Sequence, residues 1–467
     1  MSTWSDNPVQ STTDDRLDRA KIVGALENVL TGSGLSTPLV LGVYGSWGDG
    51  KTSVMRMLQS RIDPEPQGGG APKSLTLWFD AWKYARSEQA LWRALLLAVV
   101  EALGDAEKGL PKLIQQSPQL QAKLEEDLQT LRESLYRSQS VTEKGDLQLN
   151  WGAAVPFAID MGLRVATLGM ADKLNLPGLL GKLSGKDAEK ALKLFEQQEI
   201  TRYREQVKSL EQFQETLKTL IAREVTERGL VLYVFIDDLD RCLPEDAVGA
   251  LEAVKLFLDL EGCAFILGMD RDVVQRGILV RYPPVKGPDD KVVSRVDPQQ
   301  YLDKIIQMPF SLPPLTTWQI QQYLNDLFDR PSVHPHLSSC RNLIEIAAPP
   351  NPRTLKRVLN VLSLLLTLDD TSDAERAQHL AKVVLMQVLF EAAYDLVSVD
   401  PENLVALEKA AQDQGGKEDI MAIIENHPRL NELLQQQPLF TGMGQMSRAM
   451  LVSQTEITSE RPRTKAS

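Results

Sequence analysis

The chain has 467 residues, a length that suggests two or three domains at roughly 150 residues each. With 43% hydrophobic and 24% charged residues it matches ordinary globular usage, which excludes a mainly disordered or collagen-like chain. A net charge of −12 argues against general nucleic-acid affinity, and Cys242, Cys263, Cys340 and four histidines are too scattered for a disulfide framework or a zinc site. With no signal-like start and no disulfides, a reducing, cytoplasmic setting is expected.

In chain order, residues 1–13 read as a polar leader. Leu17, Ile22, Val23, Leu26, Val29 and Leu30 then recur at helical spacing. Pro38 to Tyr44 is a nearly unbroken apolar run of strand length, the pattern of a strand covered on both faces. A Gly-rich turn leads into a helical pattern from Lys51 to Ile62. Beyond the loop at 64–72, residues 74–79 read as a second strand and Ala90 to Leu103 as an apolar helix. From 105 to 229 the chain turns rich in Gln, Glu and Lys, and reads as a helical insertion with helices at 110–137 and 187–228.

Residues 230–236 give the clearest strand signal, followed by a helix at 245–260, a buried strand at 263–268 and a helix at 301–306. Everything past 316 looks helical, with a break at Pro349-Pro350. Residues 14–104 and 230–315 are expected to form the two halves of one α/β core with a parallel sheet. Residues 316–395 are expected to form a helical lid, and 396–467 further helices ending in a disordered tail.

Gly45-Ser46-Trp47-Gly48-Asp49-Gly50-Lys51-Thr52, followed by Ser53, fits G-x-x-x-x-G-K-[ST] between a strand and a helix. The glycines let successive N–H groups point into one concavity, and the helix adds its positive end, so the loop suits a di- or triphosphate. Lys51 would reach the β- and γ-phosphates, and the Thr52 hydroxyl would hold Mg2+. A chance match is the competing reading.

The strand at 230–236 runs into Asp237-Asp238-Leu239-Asp240-Arg241. Asp237 suits the orientation of the Mg2+ water shell, and Asp238 the polarisation of an attacking water as general base. Asp240 is a rival for the base, and an acidic turn capping the next helix is the plain alternative. No N-K-x-D signature favours GTP, so ATP is the expected nucleotide.

The segments GSWGDGKTS (45–53), FDAWKY (79–84), VFIDDLDRC (234–242), FILGMDRDVV (265–274), QYLDKIIQMPFSLPPL (300–315) and NPRTLKRVLN (351–360) together resemble the KAP family of P-loop NTPases over about residues 14–395. The resemblance implies an AAA-like, additional-strand ATPase core followed by a C-terminal helical lid. It also implies that Asp270 senses the γ-phosphate, against a reading as a helix N-cap. Arg353 would be a lid arginine reaching the same phosphate, against a reading as a surface arginine. The function it implies is an ATP-hydrolysing switch acting on a protein partner, and bacterial relatives suggest phage defence. A nucleotide-holding scaffold and a nucleic-acid-stimulated ATPase are the alternatives, and oligomeric state stays open.

Many family members carry membrane spans between the two nucleotide motifs. Here Trp151 to Ala171 occupies that place, but Asp160 and Arg164 lie inside it. Each charge costs about 2.5–3.5 kcal/mol at mid-bilayer, so a buried or amphipathic insertion is expected, with peripheral contact there and at 176–183 left open. Trp78, Trp82, Tyr84 and Trp92 are read as core in preference to a stacking platform.

Overall fold

Leu39–Tyr44 forms β1, and every residue after Leu39 is buried, as its unbroken apolar run requires. β2 (Leu75–Asp80), β3 (Leu232–Asp237) and β4 (Cys263–Met269) are the other strands anticipated from sequence. A two-residue hairpin, β5 (Val285–Lys286) and β6 (Val292–Val293), stands apart, and β7 (Met308–Ser311) completes the main sheet. The sheet order is β2-β3-β4-β1-β7, with every neighbouring pair parallel. β4 therefore separates β1 from β3, which is the additional-strand arrangement of an α/β P-loop core.

The computed structural model describes residues 3–63, 74–85, 91–114, 117–140, 208–255, 257, 260–283, 285–286, 292–293, 296–330, 333–369, 373–412 and 415–440. They fall into two compact units. One is Ile22–Ser46 with Val54–Ser311, and the other is Met1–Lys21 with Trp47–Ser53 and Leu312–Ser467.

In the first unit, α1 (Ala20–Thr31) buries Val23, Leu26 and Leu30 on one stripe. α2 (Lys51–Ile62) matches the expected helix. A short turn of helix, α3 (Ala81–Tyr84), follows β2, capped by the Asp80 carboxylate. α4 (Leu91–Leu103), with Leu95, Leu96, Val99 and Val100 buried in the core, packs against the helix Pro244–Lys255. β7 lies in the stretch after the helix at 301–306, to which the sequence pattern assigned no element. It is only four residues long and contains Pro309, which lacks an N–H and is tolerated because β7 is the edge strand beside β1.

The insertion begins with α5 (Leu110–Leu113) and α6 (Pro118–Ser140), two helices where one was expected, because Pro118 opens a new helix. Residues 208–221 are also helical. Leu124, Leu128 and Leu131 of α6 share the sheet unit's core with Phe213, Leu217 and Leu220. At the base of these helices Glu224, wholly buried, accepts from Arg223 and Arg228 at 2.7 Å each. The stretches 151–171 and 176–183 lie outside the described residues. Among the described residues no helix is long and apolar enough to cross a membrane.

The second unit is helical, from Thr317–Phe328 through Arg341–Ala347, Pro352–Leu368 and Ala374–Leu389 to Pro428–Gln435. The first of these starts with a capping box in which Thr316 and Gln319 satisfy each other's backbone. A single apolar core runs from Leu315 to Phe440 and passes through the boundary expected at 395. Lys382 and Glu408, both buried, pair across it at 2.7 Å. The segment read as a polar leader contributes to this core as well. Trp4 is 2% exposed; its backbone N and O bond to the Asn360 amide at 2.9 and 3.0 Å, and its indole N–H donates to the Leu327 carbonyl.

Candidate nucleotide site

β1 runs directly into the glycine-rich loop, and Gly45 N donates to the Met269 carbonyl at the end of β4. Gly48 and Gly50 have φ of +92° and +93°, a conformation in which a side chain is strained, so these two glycines make the turn possible. Lys51 and Thr52 open α2 at its positive N-terminal end, and Lys51 is only 7% exposed. Ser53 Oγ accepts from Val9 N at 3.1 Å.

Within the helical unit the loop meets the helix Pro352–Leu368. Asn351 caps that helix, its Oδ1 accepting from the N of Arg353 and Thr354, while its Nδ2 donates to the Trp47 carbonyl at 2.9 Å. Asp49 is reached by the same Nδ2 at 3.4 Å, and buried Arg19 faces it too. Trp47 is 61% exposed, with the Arg353 guanidinium 4.6 Å from its ring centroid. Arg353 also pairs with Asp6. Asn351, Asp6 and Arg19 were not singled out by the sequence.

In the sheet unit, Asp80 and Asp237 sit side by side at the ends of β2 and β3. Asp237 is buried. Gly268 on β4 leaves it room, since a Cβ there would lie 2.7 Å from Asp237 Oδ1 and 2.5 Å from Met55 Sδ. Arg56, on α2, lays its guanidinium 3.4 Å above the Trp78 ring and faces Asp237 and Asp80.

Asp238 adopts the left-handed conformation (φ 58°, ψ 30°), which an aspartate tolerates better than most residues. Burial, and then the neighbouring Asp237, push its carboxyl up to about 6, although Arg241 opposes this through an ion pair at 3.0 Å. Asp240, the rival base, lies in the following single turn, Leu239–Arg241.

Asp270 takes the capping position: its carboxylate accepts from the N of Asp272 and Val273 at the start of the helix Arg271–Arg281. Of the aromatics, Trp78 stacks on Phe235, Tyr84 stacks on Phe79 and Trp92 is buried. Trp82 is the exception, 41% exposed with the Arg241 guanidinium 5.8 Å from its ring.

The structure thus brings Trp47–Ser53 together with Asn351 and Arg353 in one unit, and Asp80, Asp237, Asp238 and Arg241 together in the other. A loop turned by two left-handed glycines after β1, and an acid-ended β3 with β4 between the two strands, define the class as a P-loop NTPase.

The chain belongs to the KAP family: the KAP family P-loop domain matches residues 19–368. It is 26% identical over 189 residues to the Phage T7 exclusion protein of Escherichia coli, a match covering 38% of this chain and 24% of that protein's length. Among solved structures, the Aeropyrum pernix ORC2 protein gives a TM-score of 0.39 at 12% identity, covering 96% of this chain and 87% of that one. The Aeropyrum pernix ORC1 protein in complex with DNA gives 0.37 at 13% identity, covering 93% and 82%.

Proposed function

We propose that the protein binds Mg·ATP and hydrolyses it, and that the change of nucleotide state is passed to a protein partner. The observation that carries this reading is the adjacent acid pair at the end of β3. Asp237 is buried, beside the space left by Gly268, and Asp238 has a carboxyl raised toward neutrality, a value suited to proton transfer near pH 7.

The residues fit the group. Gly45, Ser46, Trp47, Gly48, Asp49, Gly50, Lys51, Thr52 and Ser53 would hold the phosphates, with Lys51 as their fixed cation. Thr52 and Asp237 would hold Mg2+, which when bound neutralises charge developing on the phosphates. Asp238 would orient and deprotonate the water. Arg353 would contact the γ-phosphate, and Asp270 would act in the same place only by giving up its cap.

The test is phosphate release by the purified chain with and without Mg2+, alongside ATP calorimetry. Release that Lys51→Ala and Asp238→Asn both leave unchanged would overturn the assignment.

A nucleotide-holding scaffold is the second reading, and the Arg241–Asp238 ion pair favours it by keeping the carboxylate engaged. Tight ATP binding without release would select it. The similarity to a phage exclusion protein supports a role in phage defence. Plaque counts on cells carrying the wild-type or the Lys51→Ala chain test it.

A further inference from the structure

One side-chain amide serves both the loop and the arginine helix. Asn351 Oδ1 accepts from Arg353 N and Thr354 N at 3.1 Å each. Its Nδ2 donates to Trp47 O at 2.9 Å and reaches Asp49 Oδ1 at 3.4 Å. The loop comes this close because position 48 has no side chain: a Cβ on Gly48 would lie 2.5 Å from Asn351 Oδ1. Capping needs only the oxygen, which Asp, Ser or Thr supplies as well. The nitrogen, spent on the loop, is what asparagine adds.

We propose that Asn351 is a positioning residue that ties the loop at 47–49 to the first turn of the helix carrying Arg353. The two then move as one body, and Arg353 arrives at the phosphates with the loop and does not swing freely about Pro349-Pro350. The proposal rests on the Mg·ATP reading for its consequence, but its geometry lies within the helical unit alone.

Asn351→Asp separates the two functions of the amide. A carboxylate keeps the oxygen that accepts both cap bonds, loses the donor, and sets a negative charge beside Asp49. Hydrogen exchange on the full nucleotide-free chain reads the loop (peptides spanning 45–50) and the helix (352–368) separately, with Asn351→Ala as the capless reference. Loop exchange in Asn351→Asp should rise about fivefold, the worth of one neutral hydrogen bond, with helix protection and melting temperature as in wild type. ATP affinity should fall by a similar factor. Adding Asp49→Asn, which returns a donor to the pair from the other side, should restore loop protection toward wild type.

Unchanged loop exchange in Asn351→Asp, with the helix protected as in wild type, would overturn the proposal by making the residue a cap alone. If the wild-type chain binds no ATP, the nucleotide reading fails while the exchange comparison still decides this one.

Discussion

Asp237 ends a strand whose six residues are all buried, between two parallel neighbours, so its place follows from the apolar core. Lys51 follows a loop of a different kind, bonded through polar side chains: Asn351 from the arginine helix, and Ser53 toward the N-terminal segment. The acid end is thus fixed by burial, which is insensitive to a single hydrogen bond. The loop end is fixed by a few bonds worth about 1 kcal/mol each, so it can be shifted by single polar substitutions. Substitutions at the acid end are expected to change chemistry without moving structure, and those around the loop to change binding and coupling.

The largest expected effect is at the acid end. Asp238→Asn keeps the shape and removes the base, so turnover should fall by roughly 10²–10⁴ with Mg·ATP affinity within about threefold of wild type. Parallel kinetics on Asp240→Asn decide between the two acids. A deep loss there, with Asp238→Asn near wild type, would move the base to Asp240.

Next comes the strap that flanks the loop. Trp4 is buried in the helical core with its indole N–H bonded to Leu327 O, so Trp4→Ala should cost about 3–5 kcal/mol. Chemical denaturation monitored by helix content measures it. A cost below about 1 kcal/mol would return residues 3–9 to the status of a leader.

Lys51→Ala should follow, weakening ATP binding by about ten- to a hundredfold through loss of a charge-assisted contact. Isothermal calorimetry reads it, and equal affinities in the two proteins would remove the loop from the site.

The contrast between the two ends also explains what the sequence disclosed. Four of the five main strands, the loop and the acid pair were legible because each is encoded locally, by an apolar run, a glycine spacing or an acid after a strand. β7 was hidden by its length and Pro309. Gly268 did carry a signal, since a glycine inside a strand marks a close approach, but which carboxylate approaches it depends on the strand order. Asn351 precedes Pro352, a pattern that suits a helix cap but was not singled out, and its bond to Trp47 joins residues 304 apart in the chain. Trp4 looked like part of a polar leader because a single anchor leaves no period to detect. Pairings of this kind are written in three dimensions only.

The smallest predicted effect falls on Arg353, and the reason is its starting state. The guanidinium is already over the Trp47 ring and paired with Asp6. To reach a γ-phosphate it must give up both contacts, so only the difference between two favourable arrangements appears as binding. A half-exposed ion pair is worth about 0–1 kcal/mol and a cation over an exposed ring about 0.5–1 kcal/mol, while a charged hydrogen bond to phosphate contributes about 1.5–3 kcal/mol. The net is about 1 kcal/mol, so Arg353→Ala should reduce ATP-over-ADP discrimination by about fivefold and leave ADP affinity nearly unchanged. Asp6→Asn releases one of the two restraints and should raise that discrimination by about twofold, but only while Arg353 is present. Competitive titration of ATP against ADP in the two single variants and the double variant measures both terms. If Asp6→Asn has the same effect with and without Arg353, the ion pair does not hold the arginine back, and the loop and its helix respond to nucleotide without it.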